Sequence, residues 1–297
     1  MKEFGFPLLL LSVLLVACDP SPNRDYQRYI VVESYLIAEQ PLQPVLLSWS
    51  SPVEQEYRFQ DSALPDADVR VQLIGSDGEP DETFPYQMVQ PGVYQPADLP
   101  THRVQPRERY RLLATIPGEG KITAVTAIPD TFQVVSNVPE SVVYQQDTLR
   151  IQISNSITTE RQNVYLFQTT ASDIRLKNMT PIYRDLVEGG DSTVEEFTNN
   201  ASTPINEQNF QVTKEGTIEL QFPWIAAAFY GPNQIIANSL DRNLVDFLRS
   251  QEVQTGGSTL PPGEIPNVIS HIDGGVGVFG SLSADTISTR FEKPEIP

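Results

Sequence analysis

The chain has 297 residues, 38 acidic against 20 basic side chains and a formal net charge of -18. That balance repels nucleic acid and anionic lipid surfaces, and it reads mainly as a solubility device of an exported protein. Cys18 is the one cysteine. Disulfide staples are therefore excluded, and stability must come from burial.

The N-terminus reads Met1, Lys2, Glu3 and then runs apolar over 6–16. This is the length of a secretory h-region and falls short of the about 20 residues a membrane span needs. It ends in Leu15-Val16-Ala17-Cys18, the small and apolar approach to cysteine that signal peptidase II reads. The expectation is a lipoprotein signal peptide over 1–17 and acylation of Cys18, with palmitate among its chains. Each buried CH₂ contributes about 0.8 kcal/mol, so two or three acyl chains hold essentially permanently. Residues 18–26 read as a polar, proline-rich tether that, extended at roughly 3 Å per residue, stands the body about 20 Å off the bilayer. Losing Lys2 and Glu3 with the leader leaves the charge unchanged.

Prolines number 25, above the ordinary share of about 5%. They recur between short apolar runs, which suits strands joined by punctuated loops and nearly excludes long helices. In chain order, strands are expected over 29–36 and 44–49. Val69, Val71 and Leu73 then alternate with Arg70 and Gln72. A short element follows at 92–94, and Tyr110, Leu112, Ala114 and Ile116 alternate with Arg111, Leu113 and Thr115 before a strand at 122–128. Gly75-Ser76-Asp77-Gly78 and Pro117-Gly118-Glu119-Gly120 close hairpins. About seven strands in roughly 100 residues is the count of a β-sandwich, placed over 27–130.

A second β-rich domain is expected over 131–297, so the fold class is mostly β. Its strands fall at 132–135, 149–153, 164–169, 210–212 and 218–222, with loops or an insertion at 172–208. A helix near 239–249 puts Leu240, Leu244, Phe247 and Leu248 on one face, with Ser239 as N-cap and Asp241 in the first turn. A glycine- and proline-rich loop at 255–266 precedes strands at 267–272, 277–279 and 286–291.

The candidate sites are thin. Gly275-Val276-Gly277-Val278-Phe279-Gly280 matches G-x-G-x-x-G, but β-formers follow where a helix must open, so a close-packed glycine strand is the reading and no cofactor is expected. Two histidines, His102 and His271, sit in no catalytic frame; His102 reads as a surface residue and His271 as packing or capping at a strand end. Gly256-Gly257-Ser258-Thr259-Leu260 lacks the closing glycine of a nucleophile elbow. No metal site is expected, and Asp77-Gly78-Glu79-Pro80-Asp81-Glu82 reads as a solvated turn rather than a calcium loop. Trp224, Phe229 and Tyr230 form a partner or ligand patch if exposed. The alternative is burial against the 239–249 helix.

A set of ordered motifs carries a resemblance: Ile30-Val31-Val32-Glu33, Leu47-Ser48-Trp49-Ser50-Ser51-Pro52, Asp66-Ala67-Asp68-Val69, Pro91-Gly92-Val93-Tyr94 and the 273–280 glycine run. In this order after a lipobox, they are similar to the Bacteroidota lipoproteins catalogued as domain of unknown function 4249. Ser34 departs from the glycine of that pattern, which puts a different turn after the first strand. The resemblance implies an outer-membrane, surface-exposed lipoprotein, with the periplasmic face as alternative, that accompanies a TonB-dependent β-barrel transporter and has no established activity. The 66–128 stretch resembles the immunoglobulin-like or prealbumin-like modules of surface proteins. The expectation is therefore a non-catalytic binding or assembly role; a surface glycan hydrolase and a structural adhesin are the alternatives. Replacing Cys18 with Ala should release the protein from membranes into the soluble fraction, read by ultracentrifugation of cell lysates; retention of the C18A chain in the membrane pellet would refute acyl anchoring.

Overall fold

A computed structural model describes residues 26–52, 55–98, 102–154, 163–190, 192–206, 209–252 and 268–295. Cys18, the 1–17 leader, nearly all of the tether, the Gly256 to Leu260 motif and the 255–266 loop lie outside the described residues. The first half runs β1 (Ile30–Ile37), β2 (Val45–Trp49), α1 (Phe59–Ser62), β3 (Asp68–Ile74), β4 (Pro80–Gln90), β5 (Val93–Pro96), β6 (Arg109–Ile116) and β7 (Gly120–Ala127). Then come β8 (Ser141–Val143), β9 (Arg150–Ile153), β10 (Val164–Ala171), α2 (Pro181–Glu188), β11 (Asn199–Ala201), β12 (Ile205–Asn206), β13 (Gln211–Val212) and β14 (Ile218–Gln221). The chain closes with β15 (Gly231–Leu240), α3 (Arg242–Glu252), β16 (Ile272–Asp273) and β17 (Val276–Glu292).

Hydrogen bonding orders the strands β11-β10-β15-β17-β1-β2-β5-β4-β3-β6-β7-β16, with β12 beside β10 and β8 beside β17; β13-β14-β9 form a separate sheet. The long path doubles over at β4, whose first half pairs with β3 and whose second half pairs with β5. Alternating residues from the two layers then meet: Val32, Leu36 and Leu47 from one, Val71, Leu112 and Ile122 from the other, all fully buried. This packing is that of a β-sandwich, within the mostly β fold expected. A second core joins Ile151 of β9, Phe167 of β10, Leu220 of β14, Ile235 of β15 and Phe291 of β17.

Ile128 belongs to the first core and Phe132 to the second, but the division is not clean. Ile272 and Phe279, far along the chain, pack in the first core. The reason is β17. Its residues 276–282 run parallel to β1, 282–291 pair antiparallel with β15, and 290–292 pair with β8. At about 3.3 Å per residue, this one strand spans roughly 55 Å and crosses both cores. The strands expected at 277–279 and 286–291 are both parts of it.

Close approach explains the glycine run. A Cβ on Gly277, whose φ is 106°, would sit 2.1 Å from the Val32 carbonyl oxygen across the β1 pairing, and one on Gly280 would sit 2.5 Å from Leu244 Cγ. Only glycine lets β1 and α3 seat against β17 at these points. The 280–283 stretch also meets a polar knot. Thr126 donates to Asp241 Oδ2 at 2.7 Å and lies 2.7 Å from Ser281 Oγ. The Asn243 amide donates to the carbonyls of Val125 and Phe279, both at 2.8 Å. Asp241 also caps α3, accepting from Leu244 N at 2.9 Å. Ser239 is therefore not the cap: β15 continues through Leu240, and the buried carboxylate takes that role. Burial pushes the Asp241 carboxyl above its ordinary range, against the hydrogen bonds that favour its charge.

Further expectations change. Ser34 makes no turn; it is buried within β1 and its hydroxyl donates to the Pro44 carbonyl. The 132–135 run is a single bridge between Val134 and Ile153, not a strand, and of 267–272 only Ile272 is strand among the described residues. The 172–208 stretch holds α2, which has Pro181 at its first position and packs Tyr183 into a small cluster with Met179 and Phe229.

His102 is not a surface residue. Its side chain is 12% exposed, its ring centroid 4.2 Å from that of Phe84 in a tilted contact, with Nε2 2.8 Å from the Tyr110 hydroxyl and Nδ1 3.4 Å from Glu82. Tyr110, at the start of β6, also accepts from the Gln105 backbone N–H at 2.9 Å, a bond back to upstream backbone like the tyrosine corner of immunoglobulin-type sandwiches. Burial lowers the His102 pKa below 6.5, with Glu82 pulling upward.

Two outcomes follow from these contacts. Gly277→Ala should cost more than about 3 kcal/mol in urea unfolding, combining left-handed strain with overpacking, whereas Gly118→Ala, at a turn with open space around it, should cost about 1 kcal/mol; equal losses would contradict the close-approach account. Because the folded pKa of His102 lies below its unfolded value, the unfolded chain binds more protons. Its contribution is thus present above about pH 6.5 and lost as pH falls below it. Urea titrations between pH 7 and 5 should show a decline that is shallower in H102Q, and an unchanged slope would exclude His102 as the source.

Candidate functional site

The residues singled out in the sequence converge on the segment between β14 and β15. Pro223 ends the strand, and a 3-10 turn at Trp224–Ala226 follows, closed by Ala227 N–H donating to the Trp224 carbonyl at 3.0 Å. Ala226, Ala227 and Ala228 are each fully buried. Their small side chains let backbone run through the core, where its polar groups need partners. Threonines supply them: Thr169 donates to the Ala226 carbonyl at 2.6 Å and Thr180 to that of Ala227 at 3.0 Å.

Trp224, Phe229 and Tyr230 do not form an exposed patch. Phe229 is 1% exposed and Tyr230 8%, while Trp224 is half-buried. They are not covered by the 239–249 helix either; α3 packs with Leu240, Val278 and Val164 on another face. The Trp224 ring meets Tyr144 edge-on at 5.1 Å, and Phe222 and Phe291 at 5.6 Å. Tyr230 meets Tyr144 at 5.5 Å, and Lys293 Nζ stands 5.6 Å over its ring. Burial raises the phenol pKa of both tyrosines. Phe229 turns the other way, bridged to Met179 in the α2 cluster.

The half-exposed side of Trp224 opens on a groove of about 330 Å³. Ile205, Phe210, Leu220 and Phe222 make its apolar floor, Pro223 and Trp224 one wall, and the amides of Asn209 and Gln221 its polar rim. None of these lining side chains is titratable. The groove can hold an apolar or flat group and orient it through two amides; its described lining residues include no acid, base or nucleophile. Trp224 was legible in the sequence as an aromatic of interest, whereas Phe210 and Ile205 reach it from 14 or more residues away, and no local pattern links them.

Elsewhere, the glycine run is strand, as described above, and His271 bonds through Nε2 to Asp246 of α3 at 2.7 Å. Asp81 and Glu82 belong to β4 rather than to a turn. Among the described residues, no group of three or more histidine, cysteine or acidic side chains is placed to hold a metal ion.

Comparison with known proteins adds a family. No curated protein matches the chain. Among solved structures, Salmonella alpha-2-macroglobulin is similar over 90% of this chain at 11% identity and a TM-score of 0.24, and the chain spans 15% of that protein's length. A tetra-tandem repeat from the extending region of a large adhesion protein is similar over 89% of this chain and 49% of its own, at 11% identity and a TM-score of 0.24. Three N-terminal domains of the bacteriophage RB49 Hoc capsid protein match over 90% and 71%, at 9% identity and 0.23. A family profile, by contrast, matches residues 19–288, nearly the whole chain, and the protein belongs to the family described as "Domain of unknown function (DUF4249)".

Proposed function

We propose that this protein is an outer-membrane lipoprotein, anchored through Cys18 with its body on the cell surface, that acts by binding rather than by catalysis as an accessory to a TonB-dependent β-barrel transporter. The observation that carries the binding role is the Trp224 groove. Its floor is apolar, its rim holds two amides, and none of its described lining residues can donate, accept or relay a proton in a reaction. A glycan hydrolase needs two facing carboxylates about 5 to 9 Å apart, and among the described residues no acid lines this groove. The lipobox and the family support the anchored, exported setting.

The groove suits an apolar side chain on an extended segment or loop of a partner, with Asn209 and Gln221 receiving backbone groups. The test is a mild-detergent extraction of protein tagged after Pro297, followed by mass spectrometry of co-purifying chains in stoichiometric amount. A β-barrel transporter should be recovered with the wild type and reduced at least about tenfold with Phe210→Ser, the loss of one buried aromatic contact at an interface. Recovery of the protein alone would rule out the accessory role, and a transporter retained undiminished by F210S would move the interface away from the groove.

A further inference from the structure

The described residues include four exposed tyrosines, and three of them, Tyr26, Tyr29 and Tyr57, stand together at one end of the first sandwich. Their hydrogen bonds show the grouping. Tyr26 bonds through its hydroxyl to Ser50 Oγ, which also accepts from Tyr29 N–H at 2.9 Å; Tyr57 bonds to Ser48 at 3.1 Å. Trp49 lies between these serines at the end of β2, half-buried, with the Arg28 guanidinium 3.9 Å over its ring. Other exposed large apolar residues lie elsewhere, Met88 and Val89 on β4 and Ile182 and Leu186 on α2. Rings with a hydroxyl tip, beside an indole and an arginine, have the composition that settles at the water–lipid boundary.

Position in the chain identifies the occupant. Tyr26 is eight residues beyond Cys18, so at full extension the chain between them reaches about 28 Å, and any shorter path brings the tyrosines closer to the lipid. That reach is an upper limit, not a fixed standoff. An aromatic end held so near a bilayer has one surface always within reach. The chain's charge of -18 opposes anionic headgroups, which favours a zwitterionic lipid face as the partner.

We infer that Tyr26, Tyr29, Trp49 and Tyr57 seat the body on the headgroup region of the bilayer, setting its long axis upright. This rests on acyl anchoring at Cys18. Its consequence is orientation: β17 begins beside β1 at this end, with Val276 opposite Val31, and runs to Phe291, on which Trp224 packs. The groove is thus presented about 50 Å from the membrane, one strand length away.

The two tryptophans report the two ends separately. The acylated protein from Cys18 onward would be reconstituted on phosphatidylcholine vesicles, with and without lipid brominated high on the acyl chains. In W224F, brominated lipid should quench Trp49; in W49F, Trp224 should keep its full emission. Adding Tyr26→Ser, Tyr29→Ser and Tyr57→Ser to W224F should abolish the quenching while the protein still floats with the vesicles. Flotation without Trp49 quenching, or equal quenching of both tryptophans, would overturn the seating while leaving the anchor intact. A protein that fails to float would overturn the anchor and the seating with it.

Discussion

The structure depends on one shared strand. Residues 276–292 bond to β1 in the first sandwich and to β15 and β8 in the second, so neither core can open without breaking a backbone ladder that also belongs to its neighbour. That coupling demands close backbone approach, which Gly277 and Gly280 permit, and a satisfied polar junction, which Asp241, Thr126, Ser281 and Asn243 provide. Asp241 does two jobs with its two oxygens: Oδ1 caps α3, and Oδ2 receives the Thr126 hydroxyl from β7. Helix, first sandwich and shared strand are fixed at one buried carboxylate. An unpaired group there would be costly in so dry a place, and the local donors offset part of that cost.

The shared strand also gives the molecule a direction. Its start lies beside β1, the first strand after the proposed anchor, and its end lies under the aromatic cluster of Phe222, Trp224 and Phe291. β1 is central rather than an edge, held by β2 on one side and β17 on the other. A pull on the N-terminus is therefore delivered into the middle of the sheet, where hydrogen bonds along both flanks share it. This suits a body tethered by its first residues and engaged at its far end.

Much of the architecture was legible wherever one face of a strand meets water. Val69, Val71 and Leu73, or Tyr110 through Ile116, alternate because β3 and β6 are half-buried, and their turns use glycine in the expected places. Legibility fails where that alternation does. β4 is nearly all exposed and carries Pro80 and Pro85, tolerable because it switches partners at the sheet margin, so it reads as loop. The middle of β17 carries serines and threonines that are buried yet bonded, such as Ser281 and Thr289, and the polar letters conceal a continuous strand. α2 had its signals, Pro181 at the start and Gly189-Gly190 after the end, but at eight residues its period was too short to stand out.

By itself the sequence determined the local chemistry: an acidic chain with an apolar N-terminal run leading to its cysteine, half-buried strands, hairpin turns, and a late helix with one apolar face. These follow from period, punctuation and charge, which act between near neighbours. The tertiary structure alone decided that two distant segments lie parallel, that 276–292 is one strand common to two cores, that Asp241 rather than Ser239 caps α3, and that Phe229 and Tyr230 are buried while Trp224 edges a groove with Phe210 and Ile205. The physical reason is that parallel pairing, burial of bonded polar groups and convergence of aromatic rings depend on which chain segment arrives from far away, and no local pattern encodes the arrival.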